Sequence, residues 1–317
     1  MTTVALLPPE LEREIFEETA LMHKAAIPNL ILVARRVLVW IEPLLYRVVC
    51  VGRPPLKLAP AILTSDKPPA FFHSAVRHLA LLEPGSTSKS KKDDLRLLEL
   101  CRGVVSFGAY NKNVSGAVLA RLEHMDLRRL SLCVSLLFDR RAVDFTHPIF
   151  RSLTHLDMFD SVQDGVMELL PFIPTLPALT HLTLGSSIPR DDALEVLARS
   201  PRLQLLLVLW LNEEFHLPAR VPHVYDVRFV TGILGRYWET WEAGARGLPD
   251  LWSLGADFVA RKQRGEIEGI VSPIYLLSPP LTHKYLSNTP LANLRTRRAD
   301  ECWWFEHYQM SCDFQFY

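Results

Sequence analysis

A short apolar phrase returns along this chain at a nearly constant interval, and that interval limits what the chain can fold into. Leu127-Arg-Arg-Leu130-Ser-Leu132, Leu153-Thr-His-Leu156-Asp-Met158 and Leu179-Thr-His-Leu182-Thr-Leu184 share one spacing of apolar positions. Weaker copies flank them at Val76/Leu79/Leu81, Arg102/Val105/Phe107, Leu203/Leu206/Val208 and Val224/Val227/Phe229. From Leu79 onward the central residues step by 26, 25, 26, 26, 24 and 21. A fixed step of this size is the mark of stacked structural repeats.

Side chains alternate along a strand, so the fourth and sixth residues of each phrase share a face and form a core. Parallel strands need a return of a dozen or more residues, and the gaps supply it. Ser115–Leu122 and Asp191–Arg199 have helical spacing, the latter with two acids where a helix dipole favours them. The expected fold is therefore α/β: a leucine-rich repeat solenoid with parallel strands, flanked by an N-terminal helical unit and a C-terminal helical cap. One repeat cannot bury its apolar side alone; stacking makes the core continuous.

The bounds agree with this. The chain has 317 residues, 49% hydrophobic and 22% charged, with 35 basic and 35 acidic side chains. A balanced charge gives no general pull toward nucleic acid or an anionic membrane. The five cysteines are odd in number and widely spaced, which suits a reducing compartment, so a cytoplasmic or nuclear setting is expected. The start, MTTVALLPPE, lacks the features of a signal peptide, and no apolar run is long enough to span a bilayer. No phosphate loop, nucleophile elbow, zinc-protease motif or Cys-x-x-Cys pair is present, so neither an enzyme nor a cofactor is expected.

Residues 5–45 form the helical unit. Pro8-Pro9 open a helix whose first amides need no partner, with Leu11, Ile15 and Phe16 along one side. A second helix spans about 29–41, where Leu30, Val33, Val37 and Trp40 step by three and four before Pro43 stops or kinks it. Leu7-Pro8-x-Glu10-Leu11, then Ile15-Phe16, then Val33, Arg36 and Trp40 resemble an F-box. With the repeats behind them, they resemble the F-box-like leucine-rich repeat proteins of mushroom-forming fungi. The resemblance implies a substrate-recognition adaptor of a cullin-based ubiquitin ligase. Its partner would be a Skp-family adaptor protein, met by Leu7, Pro8, Leu11, Ile15, Phe16, Val33 and Trp40. Its repeats would hold a protein substrate. The competing reading is a leucine-rich scaffold with no ligase connection, in which these apolar residues only cap the repeats.

The repeats span 46–232. Val48 serves as the first central residue, with a mostly irregular, proline-rich return after it. The stretch Glu83–Lys92 reads as a polar, basic surface loop. Alternation places on the outward, concave face His78, Val104, Arg129, His155, His181, Leu205 and Asp226 in one row. Ala80, Ser106, Ser131, Asp157, Thr183, Leu207 and Arg228 form the next, and Leu82, Gly108, Cys133, Phe159, Gly185, Leu209 and Val230 the last. The substrate-binding set drawn from it is His78, Arg129, His155, Asp157, Phe159, His181, Thr183, Leu205, Leu207, Asp226 and Arg228. His155, His181 and Asp157 adjoin, a set with the chemistry to bind a metal, but a repeated phrase places a repeated residue without any metal. Leu205, Leu207 and Leu209 need a cover, either the C-terminal helices or another chain. Those helices, within 233–271, also close the last repeat. Residues 272–317 carry no period and read as an irregular or disordered tail.

Overall fold

The computed structural model describes residues 7–53, 58–82, 88–185, 188–210, 224–234, 236–267 and 274–276. All lie in the unit Met1–Leu277; residues 278–317 fall outside the described set, with most of the expected tail. Nine strands follow one another across a single parallel sheet in sequence order. They are β1 (Val48–Val51), β2 (His78–Leu81), β3 (Ser106–Ala109), β4 (Arg129–Leu132), β5 (His155–Met158), β6 (His181–Leu184), β7 (Leu205–Trp210), β8 (Phe229–Leu234) and β9 (Ile274–Leu276). The helices are α1 (Pro9–Met22), α2 (Ile27–Leu30), α3 (Arg35–Tyr46), α4 (Leu58–Leu63), α5 (Pro69–Ala75), α6 (Ser88–Leu100), α7 (Gly116–Leu122), α8 (Val134–Leu137), α9 (Val166–Leu169), α10 (Arg190–Arg199), α11 (Tyr237–Ala245) and α12 (Leu251–Gln263).

The repeated phrase does what its spacing requires. Leu79, Phe107, Leu130, Leu156, Leu182, Leu206 and Phe229 stand in register across the sheet and are buried on one face. Helices α4 to α10 pack on that face, contributing Ile62, Phe72, Leu98, Leu122, Leu137 and Val196 among others to one continuous core. The threonine of Leu-Thr-His-Leu adds a second tie at the same interval. Thr154 Oγ1 donates to the Arg128 carbonyl at 2.9 Å, and Thr180 Oγ1 to the Thr154 carbonyl at 3.1 Å. Asp160, fully buried, accepts from the Val134 and Ser135 amides at 2.7 and 2.8 Å and so holds the start of α8 one repeat back.

Several expectations need correction. In β1 the core residue is Val49, paired with Leu79; Val48 pairs with His78 and faces the other way. In β3 the core residue is Phe107 rather than Val105, so Val104 takes the first core position, Ser106 the third and Gly108 the fifth. In β8 it is Phe229 rather than Val227. The return after β1 is not irregular but carries α4 and α5, because Pro60 and Pro69 sit in first turns, where a missing amide costs nothing. Ser88–Lys92 of the expected loop belongs to α6, while 83–87 lie outside the described residues. The second N-terminal helix is divided at 31–34, and Pro43 lies inside α3. Ile41, Leu44 and Leu45, packed into a small core, carry that helix past the proline.

The departure that matters most is where α11 and α12 go. They do not close the end of the stack, where β9 adds to β8 instead. They lie against the opposite, concave face of the sheet, in a second core with Val48, Ala80, Leu82, Leu205, Leu207, Leu209 and Val230. Helices α4 to α10, between β1 and β7, lie behind the sheet, whereas α11 and α12, between β8 and β9, lie in front. Since every step across the sheet has the same direction, that last crossover has the opposite hand to the others.

Leu156→Ala should destabilise the chain by about 2–5 kcal/mol, because the cavity lies in a fully buried layer. Val39→Ala, on an exposed helix face, should change stability by no more than about 0.5 kcal/mol. Urea unfolding of both variants checks the contrast.

Candidate functional site

Two surfaces were expected to bind partners, and the fold treats them oppositely. The N-terminal unit has a core of its own, with Ala20, Ile27, Val37 and Ile41 buried and Phe16, Trp40 and Leu44 partly buried against them. Glu12 of α1 receives two hydrogen bonds from Arg36 of α3, at 2.7 and 2.9 Å, which fixes the helix pair. With the inner faces joined, the outer face keeps its apolar residues in solvent: Leu7 is 46% exposed, Leu11 48%, Ile15 52% and Val33 62%. Pro8 is exposed as well. Of the seven residues assigned to adaptor contact, Phe16 and Trp40 thus serve mainly the unit's own packing. The other five are uncovered. Leu32 and Val39, exposed on the same unit, were not singled out by the motif.

The concave face, in contrast, is covered by the chain itself. Asp157, Thr183, Leu205 and Leu207 are buried, and His78, Arg129, His155, Phe159 and His181 are partly buried. Trp252 of α12 meets both His155 and His181 edge-on, with ring centroids 5.1 and 5.6 Å away. Trp238 of α11 lies over Gly108, where a Cβ would come within 2.6 Å of the indole. Gly255 of α12 is equally tight against Leu205, also at 2.6 Å. At either position an added side chain would force the facing Trp238 or Leu205 side chain to move. Arg53, after β1, reaches Glu239 and Glu242 of α11 at 3.3 and 3.6 Å.

Asp226 and Arg228 are not part of this face. They pair with each other at 2.7 Å, and Arg228 also donates to the carbonyls of Leu197, Ser200 and Leu203 at the end of α10. Their place in the shifted β8 register makes them a structural tie, since a guanidinium satisfies the free carbonyls of a helix C-terminus.

Beneath α11 and α12 the middle of the face is polar. Arg129 Nη1 donates to Asp250 Oδ2 at 3.0 Å. Asp250 also caps α12, accepting from the Ser253 amide in a reciprocal capping box. Ser131 and Tyr237 both donate to Asp157 Oδ2, at 2.6 and 2.5 Å. Burial dominates Asp157 and pushes its carboxyl up to about 6, although these hydrogen bonds favour the ionised form. His155 and His181 stack with centroids 4.2 Å apart. Each has Nδ1 2.8 Å from the hydroxyl of the preceding threonine. A hydroxyl that donates its one hydrogen to the carbonyl can only accept from the imidazole, an arrangement that puts a ring proton on Nδ1. Burial, with Arg129 nearby, lowers His155 to about 3 and His181 to about 4; burial and Arg47 lower His78 to about 4. Asp157 is turned to Ser131 and Tyr237 rather than to a metal position. Among the described residues no group of three metal-binding side chains occurs.

The Asp250-x-x-Ser253 box is legible in the sequence as a helix start, but nothing there links Tyr237 to Asp157 or Asp250 to Arg129. No helix among the described residues is long and apolar enough to cross a membrane. Comparison with known proteins adds no family: no family model matches the chain, and no curated protein is significantly similar to it.

The buried imidazoles set a pH dependence. Their folded values lie below the unfolded value near 6.5, so the unfolded chain takes up protons first as pH falls. Stability is full above that value and is lost progressively below it. For His155 the loss reaches about 2 kcal/mol by pH 5. Asp157, raised in the fold, acts in the opposite sense below pH 6, but it is one group against three. The urea midpoint should therefore fall between pH 7 and pH 5, and His155→Phe should flatten that fall; an unchanged slope would contradict the assignment.

Proposed function

We propose that this chain is a substrate-recognition adaptor of a cullin-based ubiquitin ligase, built as an F-box-like unit joined to a leucine-rich repeat solenoid. The N-terminal helices dock a Skp-family adaptor protein, and the repeats hold a protein target. The observation that carries the reading is the uncovered row of Leu7, Pro8, Leu11 and Ile15 at and just before the start of α1, with Val33 beside α3. Five of the seven residues of the docking motif stay outside the unit's own core. A helix pair that merely capped the repeats would turn them inward, as Val37 and Ile41 are turned. Exposed apolar patches of this kind mark interaction surfaces.

The unit is held to the repeats by α3, not by α1. Tyr46 at its end packs edge-on against Phe71 and Phe72 of α5, and Glu42 pairs with Lys67 at 2.9 Å. The face of α1 is left available to a partner. The second reading, a leucine-rich scaffold with no ligase connection, draws on the covered concave face, which offers a substrate no open surface in this state.

Full-length protein should capture a Skp-family adaptor in a pull-down. Ile15→Asp should weaken capture by about 2 kcal/mol, the size of a central apolar anchor, while circular dichroism stays unchanged because Ile15 does not enter the unit's core. Trp40→Ala is the poorer probe, since its ring packs inside. Equal capture by wild type and Ile15→Asp, or no capture by wild type, would remove the adaptor reading.

A further inference from the structure

The concave core differs in kind from the core behind the sheet. Behind it, the helices meet a layer of leucine, phenylalanine, valine and isoleucine. In front, the buried apolar side chains of the sheet lie at the two ends, Val48, Ala80 and Leu82 on one side and Leu205, Leu207 and Leu209 on the other, with the half-buried Phe159 between them under Tyr237 and Trp238. Between them runs a polar belt of Ser106, Arg129, Ser131, His155, Asp157 and His181. The belt is only partly satisfied by the helices above it. His78 Nδ1 has no hydrogen-bond partner, and Asp157 Oδ1 and Thr183 Oγ1, neighbours across β5 and β6, receive none from the helices. Each such buried group costs a contact what it would gain from a good one. The segment above is also the one that crosses in front of the sheet, by the hand that strand twist disfavours.

We infer that α11 and α12 are a displaceable internal occupant of a protein-binding face, and that the face accepts in their place a partner helix presenting the same chemistry. That chemistry is read from the occupant. An acidic group sits opposite Arg129, as Asp250 does. A hydroxyl donor sits opposite Asp157, as Tyr237 does. A flat aromatic covers the His155–His181 stack, as Trp252 does, and a small residue faces Leu205, as Gly255 does. In the closed state the chain is its own competitor, so target binding by the repeats is gated by release of these helices. The inference rests on the receptor reading only in taking the repeats as a binding face. It is independent of whether α1 docks a ligase adaptor.

Two measurements on the full-length chain test it. The first is hydrogen exchange on wild type. The amides of α11 and α12 should exchange about a hundredfold faster than those of β4, β5 and β6, as a locally opening segment does. Helices that share the protection of those strands are permanent core, and the inference fails. The second uses a synthetic peptide of residues 236–264 as the probe. Asp250→Ala with Gly255→Leu weakens the internal copy while leaving the face intact. The peptide should bind this variant about tenfold more tightly than wild type, a difference of ~1.4 kcal/mol. Adding Arg129→Glu should abolish that gain, and a peptide carrying Asp250→Lys should restore it. A peptide that binds wild type and variant alike, or neither, overturns the proposal. Neither readout involves a Skp-family protein, so a failed pull-down leaves both results interpretable.

Discussion

A parallel sheet has two faces, and both must be kept from water. Its strands cannot be joined by tight turns, so covering helices come with the connections, and they arrive behind the sheet once per repeat. That disposes of one face only. The row from Leu79 through Leu130, Leu156 and Leu182 to Phe229 is covered as it is made. The opposite face must find its cover elsewhere in the chain or in another molecule. Much of what is distinctive here follows from that asymmetry. Leu205, Leu207 and Leu209 alternate with Leu206 and Val208, so β7 is apolar on both sides and cannot stand bare. The two helices after β8 cross in front of the sheet and meet this need.

The cost of the cover appears in the polar belt. A front face that was apolar throughout would bind α11 and α12 as firmly as the rear face binds α4 to α10. Instead Arg129 must find Asp250, and Asp157 must find Ser131 and Tyr237. Three imidazoles are held neutral under the helices. Buried polar pairs of this sort add little net stability over apolar packing, but removing one partner is costly. They specify which segment fits rather than how tightly it is held. The rear core carries the fold, and the front core selects an occupant.

How much of this was legible can be judged strand by strand. Where the phrase is complete, at β4, β5 and β6, face and register follow from the sequence, because polar residues break the alternation in only one way. At β1, Val48 and Val49 are both apolar, and a one-residue slip exchanges the faces. At β3, Val104, Val105 and Phe107 allow two frames two residues apart, and the core took the larger ring at Phe107. The same ambiguity at Val227 and Phe229 moved Asp226 and Arg228 off the face and onto the end of α10. Periodicity tells which side of a strand is apolar; it cannot say which distant segment will lie there. Hence the need for a cover over Leu205 was readable, while the pairings of Asp250 and Tyr237, more than 75 residues from their partners, were not.

The N-terminal unit shows the same reasoning from the other side. Its helices are amphipathic twice over: Ala20, Val37 and Ile41 turn inward, while Leu11, Ile15 and Val33 turn outward. Sequence alone gave both sets the same status, because an apolar residue at helical spacing does not declare which face will be buried. Helix α3 is tied to the repeats through Tyr46 and Glu42. The chain has no further segment among the described residues that covers α1, whereas it supplies two helices for the concave face. Apolar surface that a chain leaves uncovered after covering its other exposed face is better explained by a partner than by a defect of packing. That difference separates the two surfaces: one is left uncovered by the chain, as the proposed docking requires, and the other is closed by a segment whose polar contacts suit it to the proposed exchange.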